Sequence, residues 1–175
     1  GAAWSGLLAN FAAGAFLVIL RPFKVGDFIS AGGVVGTVEE IGLFVTTINT
    51  PDNVRTFVGN NKVFGDNIQN FTANPHRRVD LTVQVAHAVG VDELIARIGS
   101  EIARIPNVLS TPAPDVKVLA HSPTGCTLAV RPYTHNDNYW QVYFDSQAKL
   151  RAILGAAGYP APQTVVEINA AGAGA

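Results

Sequence analysis

Residues 24–58 read KVGDFISAGGVVGTVEEIGLFVTTINTPDNVRTFV, and this stretch decides the fold class. Short runs of valine, isoleucine, phenylalanine and threonine are cut by Gly26-Asp27, Gly32-Gly33, Gly36 and Thr50-Pro51-Asp52-Asn53. β-Branched and aromatic residues suit a pleated, half-buried surface, while Gly, Pro, Asn and Asp supply the backbone conformations of tight turns. Strands are expected over residues 27–30, 34–41, 44–49 and 54–58, with Gly59-Asn60-Asn61 as a further turn and a strand at 67–72 closing the set. Five strands in so short a span imply a small barrel, because closure removes unpaired strand edges.

Ahead of this block, residues 1–20 carry no charge, and their polar side chains are the Trp4 indole, Ser5 and Asn10. As a helix they extend roughly 30 Å, which is membrane length. At about 100° per residue, Ala2, Gly6, Ala9 and Ala13 share one stripe, and Trp4, Leu7, Leu8 and Phe11 lie opposite. A small-residue face lets helices approach closely in lipid, where association must come from packing. Gly6 and Gly14 are the places where bending costs least. Arg21-Pro22 is expected to end the helix, since proline disfavours the helical region for the residue before it. The competing reading, a buried helix of a soluble core, fits the length and lack of charge less well.

Ala73-Asn74-Pro75 marks a boundary, and the pattern after it is mixed. Residues 78–86 alternate as a strand, with Val79, Leu81, Val83 and Val85 on one face. Val91, Leu94, Ile95, Ile98, Ile102 and Ile105 then follow a helical stripe, with Asp92 and Glu93 in the first turn, where the helix dipole favours them. Residues 116–120 and 127–133 read as strands around the turn Ser122-Pro123-Thr124-Gly125. A second helix is expected from Asn136-Asp137 to Gly155, with Trp140, Tyr143, Phe144, Leu150 and Leu154 as its apolar residues. Strand, helix, strand, strand, helix is the order of a ferredoxin-like unit. The class is therefore α+β: a leading helix over 1–20, a five-stranded barrel over 21–73 and a ferredoxin-like domain over 76–162. A last strand falls within 163–169, and residues 170–175 are Ala/Gly filler expected to fray.

Composition narrows the function. With 48% apolar residues and 14% charged ones, the 175-residue chain can bury a core. Twelve basic against thirteen acidic residues leave no global field to recruit nucleic acid. Residues 21–80 hold six of each sign, so the basic surface of an RNA-binding ring is missing. The single cysteine, Cys126, cannot form an internal disulfide, and no Cys/His spacing resembles a metal site. An enzyme would have to be built from Cys126 with His121 or His135, and a cysteine at a strand start is more often structural. Gly32-Gly33-Val34-Val35-Gly36 leads into a strand rather than the helix N-terminus that phosphate binding needs, so a turn or bulge accounts for it better. No cofactor and no metal are expected. Methionine is absent and the chain opens Gly1-Ala2-Ala3-Trp4, which reads as a piece of a longer protein.

Several stretches in order along the chain resemble the small-conductance mechanosensitive channel family. They are Asn10-Phe11-Ala12-Ala13-Gly14, Arg21-Pro22-Phe23-Lys24-Val25-Gly26-Asp27, Gly32-Gly33-Val34-Val35-Gly36-Thr37-Val38, Asn67-Ile68-Gln69-Asn70-Phe71-Thr72, Pro75-His76-Arg77-Arg78 and Tyr159-Pro160-Ala161-Pro162-Gln163. The resemblance implies a homo-heptamer in the bacterial inner membrane whose pore-lining helix bends at a glycine, here Gly6. It further implies an Sm-like β domain and a hollow α/β vestibule on the cytoplasmic side, passing ions and small solutes. The strand within 163–169 takes the place of the family's axial barrel strand. Ala9, Ala13 and Gly14 take the place of helix contacts near the gate, and Asn10 that of an asparagine linked to inactivation. In the family this asparagine meets a glycine of the β domain, whereas this chain has Asn61 at that position and Gly59 where proline is usual. Asp80 matches an acidic position near the side openings, where carboxylates bias ion passage. Its competing reading is an ordinary charge on a strand surface.

Overall fold

The structure, a computed structural model, describes residues 1–156, 158–160 and 162. The expected strand within 163–169 and the tail at 170–175 lie outside the described residues. The chain divides into two compact units, Gly1–Pro75 and His76–Ala175.

The first unit opens with α1 (Ala2–Leu20), one uninterrupted helix. It ends at Arg21, which takes a left-handed conformation (φ 48°) and donates its N–H to the Leu17 carbonyl at 3.0 Å. This cap satisfies a terminal carbonyl that the following Pro22 cannot, because proline has no N–H. At 19 residues α1 spans about 28 Å. Among the described residues no helix is long and apolar enough to cross a membrane. One face of α1 is taken up by its own chain: Ala13, Gly14 and Leu17 are buried.

Five strands follow: β1 (Phe28–Ala31), β2 (Val34–Ile41), β3 (Val45–Asn49), β4 (Arg55–Gly59) and β5 (Gln69–Asn70). They form an antiparallel sheet in the order β4-β3-β2-β1-β5. Gly32 and Gly33 join β1 to β2 as a two-residue hairpin with φ of 59° and 80°. Positive φ at both positions twists the hairpin in the sense the strands need, and glycine adopts it without steric cost. This turn is what the glycine cluster does. A bulge between Val38 and Glu40 shifts the β2–β3 register. The sheet is open, with β4 and β5 at its ends, so no closed barrel is seen among the described residues. β5 is two residues long rather than the expected six-residue segment, because beyond Asn70 the chain turns on the Asn70 side chain, which accepts the Thr72 and Ala73 N–H groups at 3.0 Å each. Residues 60 and 61, expected in a turn, instead begin a short helix, α2 (Asn60–Gly65). Leu17, Phe23, Ile29, Val38, Ile48, Val58 and Val63 form the core of this unit, joining α1, the sheet and α2.

The second unit holds a short ribbon of β6 (Arg77–Arg78) and β10 (Tyr133–Thr134), and a sheet of β7 (Leu81–Ala86), β8 (Asp115–Ser122) and β9 (Gly125–Arg131) in the order β7-β9-β8. The helices α3 (Val91–Ile102) and α4 (Tyr139–Ala156) pack on that sheet. Alternation puts Leu81, Val83 and Val85 of β7 inward, where they meet Leu94, Ile98 and Ile102 of α3. α4 and the short turn ahead of it fall close to the expected span. The helix buries Val142, Ser146, Leu150 and Ile153, spaced four, four and three residues apart, while Trp140 and Phe144 are 57% and 62% exposed. The two rings stack on each other at 5.9 Å outside the core, because the 3.6-residue period that buries Val142 and Ser146 turns them away.

Candidate functional site

Several residues singled out in the first unit, Asn10, Ala13, Gly14 and Asn61, lie where α1 meets α2 and the β2–β3 connection. α2 follows Gly59, a residue with no side chain to cap the helix, so its first N–H groups need acceptors from elsewhere. The Phe44 carbonyl accepts the Asn60 N–H at 2.9 Å. Asn10 Oδ1 accepts the Asn61 N–H at 3.0 Å, across 51 residues of sequence, while Asn10 Nδ2 donates to the Gly6 carbonyl at 2.9 Å. One helix therefore caps the other, and the Asn10 amide is oriented by its own helix.

One turn further along α1, Gly14 lies against Asn60. A methyl group on Gly14 would sit 2.5 Å from Asn60 Nδ2 and 2.7 Å from the Leu43 carbonyl oxygen, so only glycine permits this approach. Asn60 is itself fully buried. Its Oδ1 accepts the Thr46 hydroxyl at 2.9 Å and its Nδ2 donates to the Gly42 carbonyl at 2.8 Å. Buried polar groups satisfied in this way rigidify a contact, and they are costly to disrupt. Phe16 stacks on Phe64 at 5.6 Å and Phe11 lies 6.2 Å from Phe44, so rings flank the polar seat on both sides.

Of the predicted residues, the structure brings Asn10 and Asn61 into direct contact and buries Ala13 and Gly14 at the same seat. Ala9 is half-buried. Gly6 is exposed, with open space around its Cα. Sequence reasoning missed Asn60, whose side chain ties α2 to β3 and the β2–β3 connection and lies against Gly14. The signal available was a pair of asparagines directly after a glycine at a potential helix start.

Asp80 lies in the second unit, exposed, and it is not alone. Arg78 Nε is 2.8 Å and Arg131 Nε 3.3 Å from Asp80 Oδ1. The hydrogen bond to Asp80 raises the Arg78 guanidinium above its ordinary pKa, with the carboxylate charge adding to the effect. His121 and Cys126 face each other across β8 and β9, yet Cys126 is buried in the core cluster. Among the described residues, no group of three or more His, Cys, Asp or Glu side chains can hold a metal ion.

Comparison with known proteins agrees with this geometry. Residues 6–73, which contain α1 from Gly6 onward and the whole five-stranded sheet, match the family described as "Mechanosensitive ion channel, beta-domain". The small-conductance mechanosensitive channel of Edwardsiella ictaluri is 36% identical over 170 residues, covering 96% of this chain and 59% of the relative. An MscS family protein of Archaeoglobus fulgidus is 30% identical over 168 residues, covering 95% of this chain and 59% of that protein. The crystal structure of Helicobacter pylori MscS in its closed state superposes with a TM-score of 0.85 at 21% identity, covering 98% of this chain and 68% of that one. This chain belongs to the small-conductance mechanosensitive channel family, a family of channels and not of enzymes. It spans about three fifths of the length of the curated relatives it matches along most of its length. Membership implies a membrane location.

Proposed function

We propose that the chain is the end of the pore-lining helix together with the cytoplasmic part of a tension-gated channel, which passes ions and small solutes across a bacterial inner membrane during hypo-osmotic shock. In this reading it works as a homo-heptamer. Residues 1–20 end the pore helix and lie beside the lipid bilayer, 21–73 form an Sm-like β domain, and 76–162 form the ferredoxin-like wall of a vestibule. Residues 163–169 add a strand to an axial barrel, 170–175 form a tail, and everything after about residue 21 is cytoplasmic.

Tension acts as a differential free energy: a state that occupies more membrane area is favoured by tension multiplied by the area difference, and no ligand is needed. Such a device requires an element with two discrete placements. The observation that carries the reading is the seat of α1, where the Asn10–Asn61 bond and the Gly14–Asn60 contact tie the helix to the β unit. A polar, geometrically narrow seat is either made or broken, so displacement of α1 is stepwise rather than graded. Gly6 lies exposed ahead of this seat, where a small residue lets helices of neighbouring copies slide at low steric cost. Pressure recordings on the full-length protein test this. Gly6→Leu is expected to shift the tension needed for opening, and an unchanged threshold with unchanged kinetics would refute the assignment of α1.

A further inference from the structure

We propose that the free edge of β7 is a strand-binding surface, and that in a subunit not yet joined to its copies it takes residues 164–169 of the same chain as a fourth strand. The sheet of the second unit runs β7-β9-β8, so β7 ends it, and among the described residues no strand lies on its other side. β7 and β8 are both antiparallel to β9 and hence parallel to each other, with α3 crossing between them. α4 follows β9, which runs the opposite way, and packs into the same core as α3. A crossover of the same hand, started from the opposite strand direction with its helix on the same face, moves the opposite way along the sheet. It passes β7, as α3 passes β9, and delivers the next strand to the free edge, antiparallel to β7. This is how a β-α-β-β-α-β unit is completed.

The end of α4 aims the chain there. Gly158, with φ of 62°, closes the helix in a Schellman turn: its N–H is donated to the Gly155 carbonyl and that of Tyr159 to the Leu154 carbonyl, each at 3.3 Å. Tyr159 and Leu154 thereby line one groove of about 500 Å³ between α4 and β7. Val83, Leu150 and Leu154 give it an apolar floor, and the exposed Thr82 and Gln84 a polar lip. In the segment that follows, Thr164, Val166 and Ile168 alternate with Val165, Glu167 and Asn169, so one face of a strand suits the floor and the other the lip. The link from Tyr159 to Thr164 spans at most about 18 Å. So short a tether holds the segment at about millimolar effective concentration, an advantage no separate peptide has. An open strand edge and an unpaired β-branched segment are both templates for aggregation, and pairing them within one chain removes both. The docking itself needs neither membrane nor conduction. Its reversal rests on the axial barrel of the proposed function, where assembly exchanges one strand partner for the other.

Full-length protein made by cell-free synthesis in liposomes tests it, at densities that keep subunits apart and at densities that let them assemble, with copies counted by photobleaching. Hydrogen exchange at β7 is read by mass spectrometry. In single subunits the β7 amides that point away from β9, about half of the strand, are expected to be protected by about tenfold or more. Truncation after Gln163, which removes no residue of the described fold, is expected to abolish that protection. Val166→Pro, which takes an N–H from the ladder, is expected to do the same, and Val166→Ile to match the wild type. Peptides of β9, whose bonds do not involve the segment, serve as the folding control. In the assembled channel the extra protection of β7 is expected to be lost. Exchange at β7 that ignores truncation and proline alike overturns the proposal. Protection that arises only where subunits meet assigns the edge to a neighbour's strand and overturns it as well. Protection that persists in the assembled channel overturns the exchange of partners, and with it the axial-barrel place of this segment. Conduction recorded on the same preparations separates each of these failures from failure of the channel reading.

Discussion

The contact between Gly14 and Asn60 makes a prediction that can be worked through from distances. In Asn60→Ala the Thr46 hydroxyl and the Gly42 carbonyl both lose their partner within the first unit. Each group left unsatisfied in a buried site costs about 1–3 kcal/mol, so the substitution is expected to destabilise by about 2–6 kcal/mol. In Gly14→Ala the new methyl meets Asn60 Nδ2 at 2.5 Å and the Leu43 carbonyl at 2.7 Å, and the second neighbour is backbone that cannot rotate aside. Overpacking of this kind costs about 1–3 kcal/mol, while alanine regains about 1 kcal/mol of helix propensity. The net loss is then at most about 2 kcal/mol. The two substitutions share an atom pair, so they should not add. Removing the Asn60 amide deletes the shorter of the two clashes, and the double variant is expected to be less destabilised than the sum by about 1 kcal/mol. Denaturant unfolding of the full-length protein in detergent, compared across wild type, both single variants and the double variant, measures the coupling. Strict additivity would refute the claim that Asn60 is what requires glycine at position 14.

Asn10→Ala removes the acceptor of the Asn61 N–H; because that bond is exposed, the stability loss should stay near 1 kcal/mol, while the decay of current under sustained pressure is expected to change. Identical decay in wild type and variant would separate Asn10 from inactivation. At Asp80 the two arginines leave a local charge of one positive unit, so Asp80→Asn should move the reversal potential toward anion preference and Arg131→Gln toward cation preference. Equal reversal potentials in all three proteins would remove this cluster from the permeation path. Ser146 is fully buried and its hydroxyl has no hydrogen-bond partner among the described residues, so Ser146→Ala should leave stability unchanged or raise it by up to about 2 kcal/mol. A loss above 1 kcal/mol in thermal or denaturant unfolding would show that the hydroxyl is engaged.

The sheet of the first unit was legible because its signals are local. β2 is found over the expected residues, and Gly32-Gly33 closes the hairpin its dipeptide suggests. The stripe of α3 was equally plain, since Leu94, Ile98 and Ile102 repeat at helical spacing and are buried. α2 was not legible, because a six-residue helix with Val63 as its one buried apolar residue has no periodic pattern to detect. The covered face of α4 was not legible for a different reason: hydrophobicity does not say which face of a helix is covered, and Val142 with Ser146 defined that face. The site was half legible. Asn10 and Asn61 stood out through the family resemblance, but Asn60 and the arginine partners of Asp80 depend on contacts between segments far apart in sequence.

The most direct test of the central claim is recording from the purified full-length protein in liposomes that contain no other channel, with suction stepped up to the lytic limit. Discrete unitary currents that appear only above a reproducible tension, and close when it is released, are the predicted result. A bilayer that stays silent up to rupture, with the protein shown to be inserted and assembled, would contradict the account.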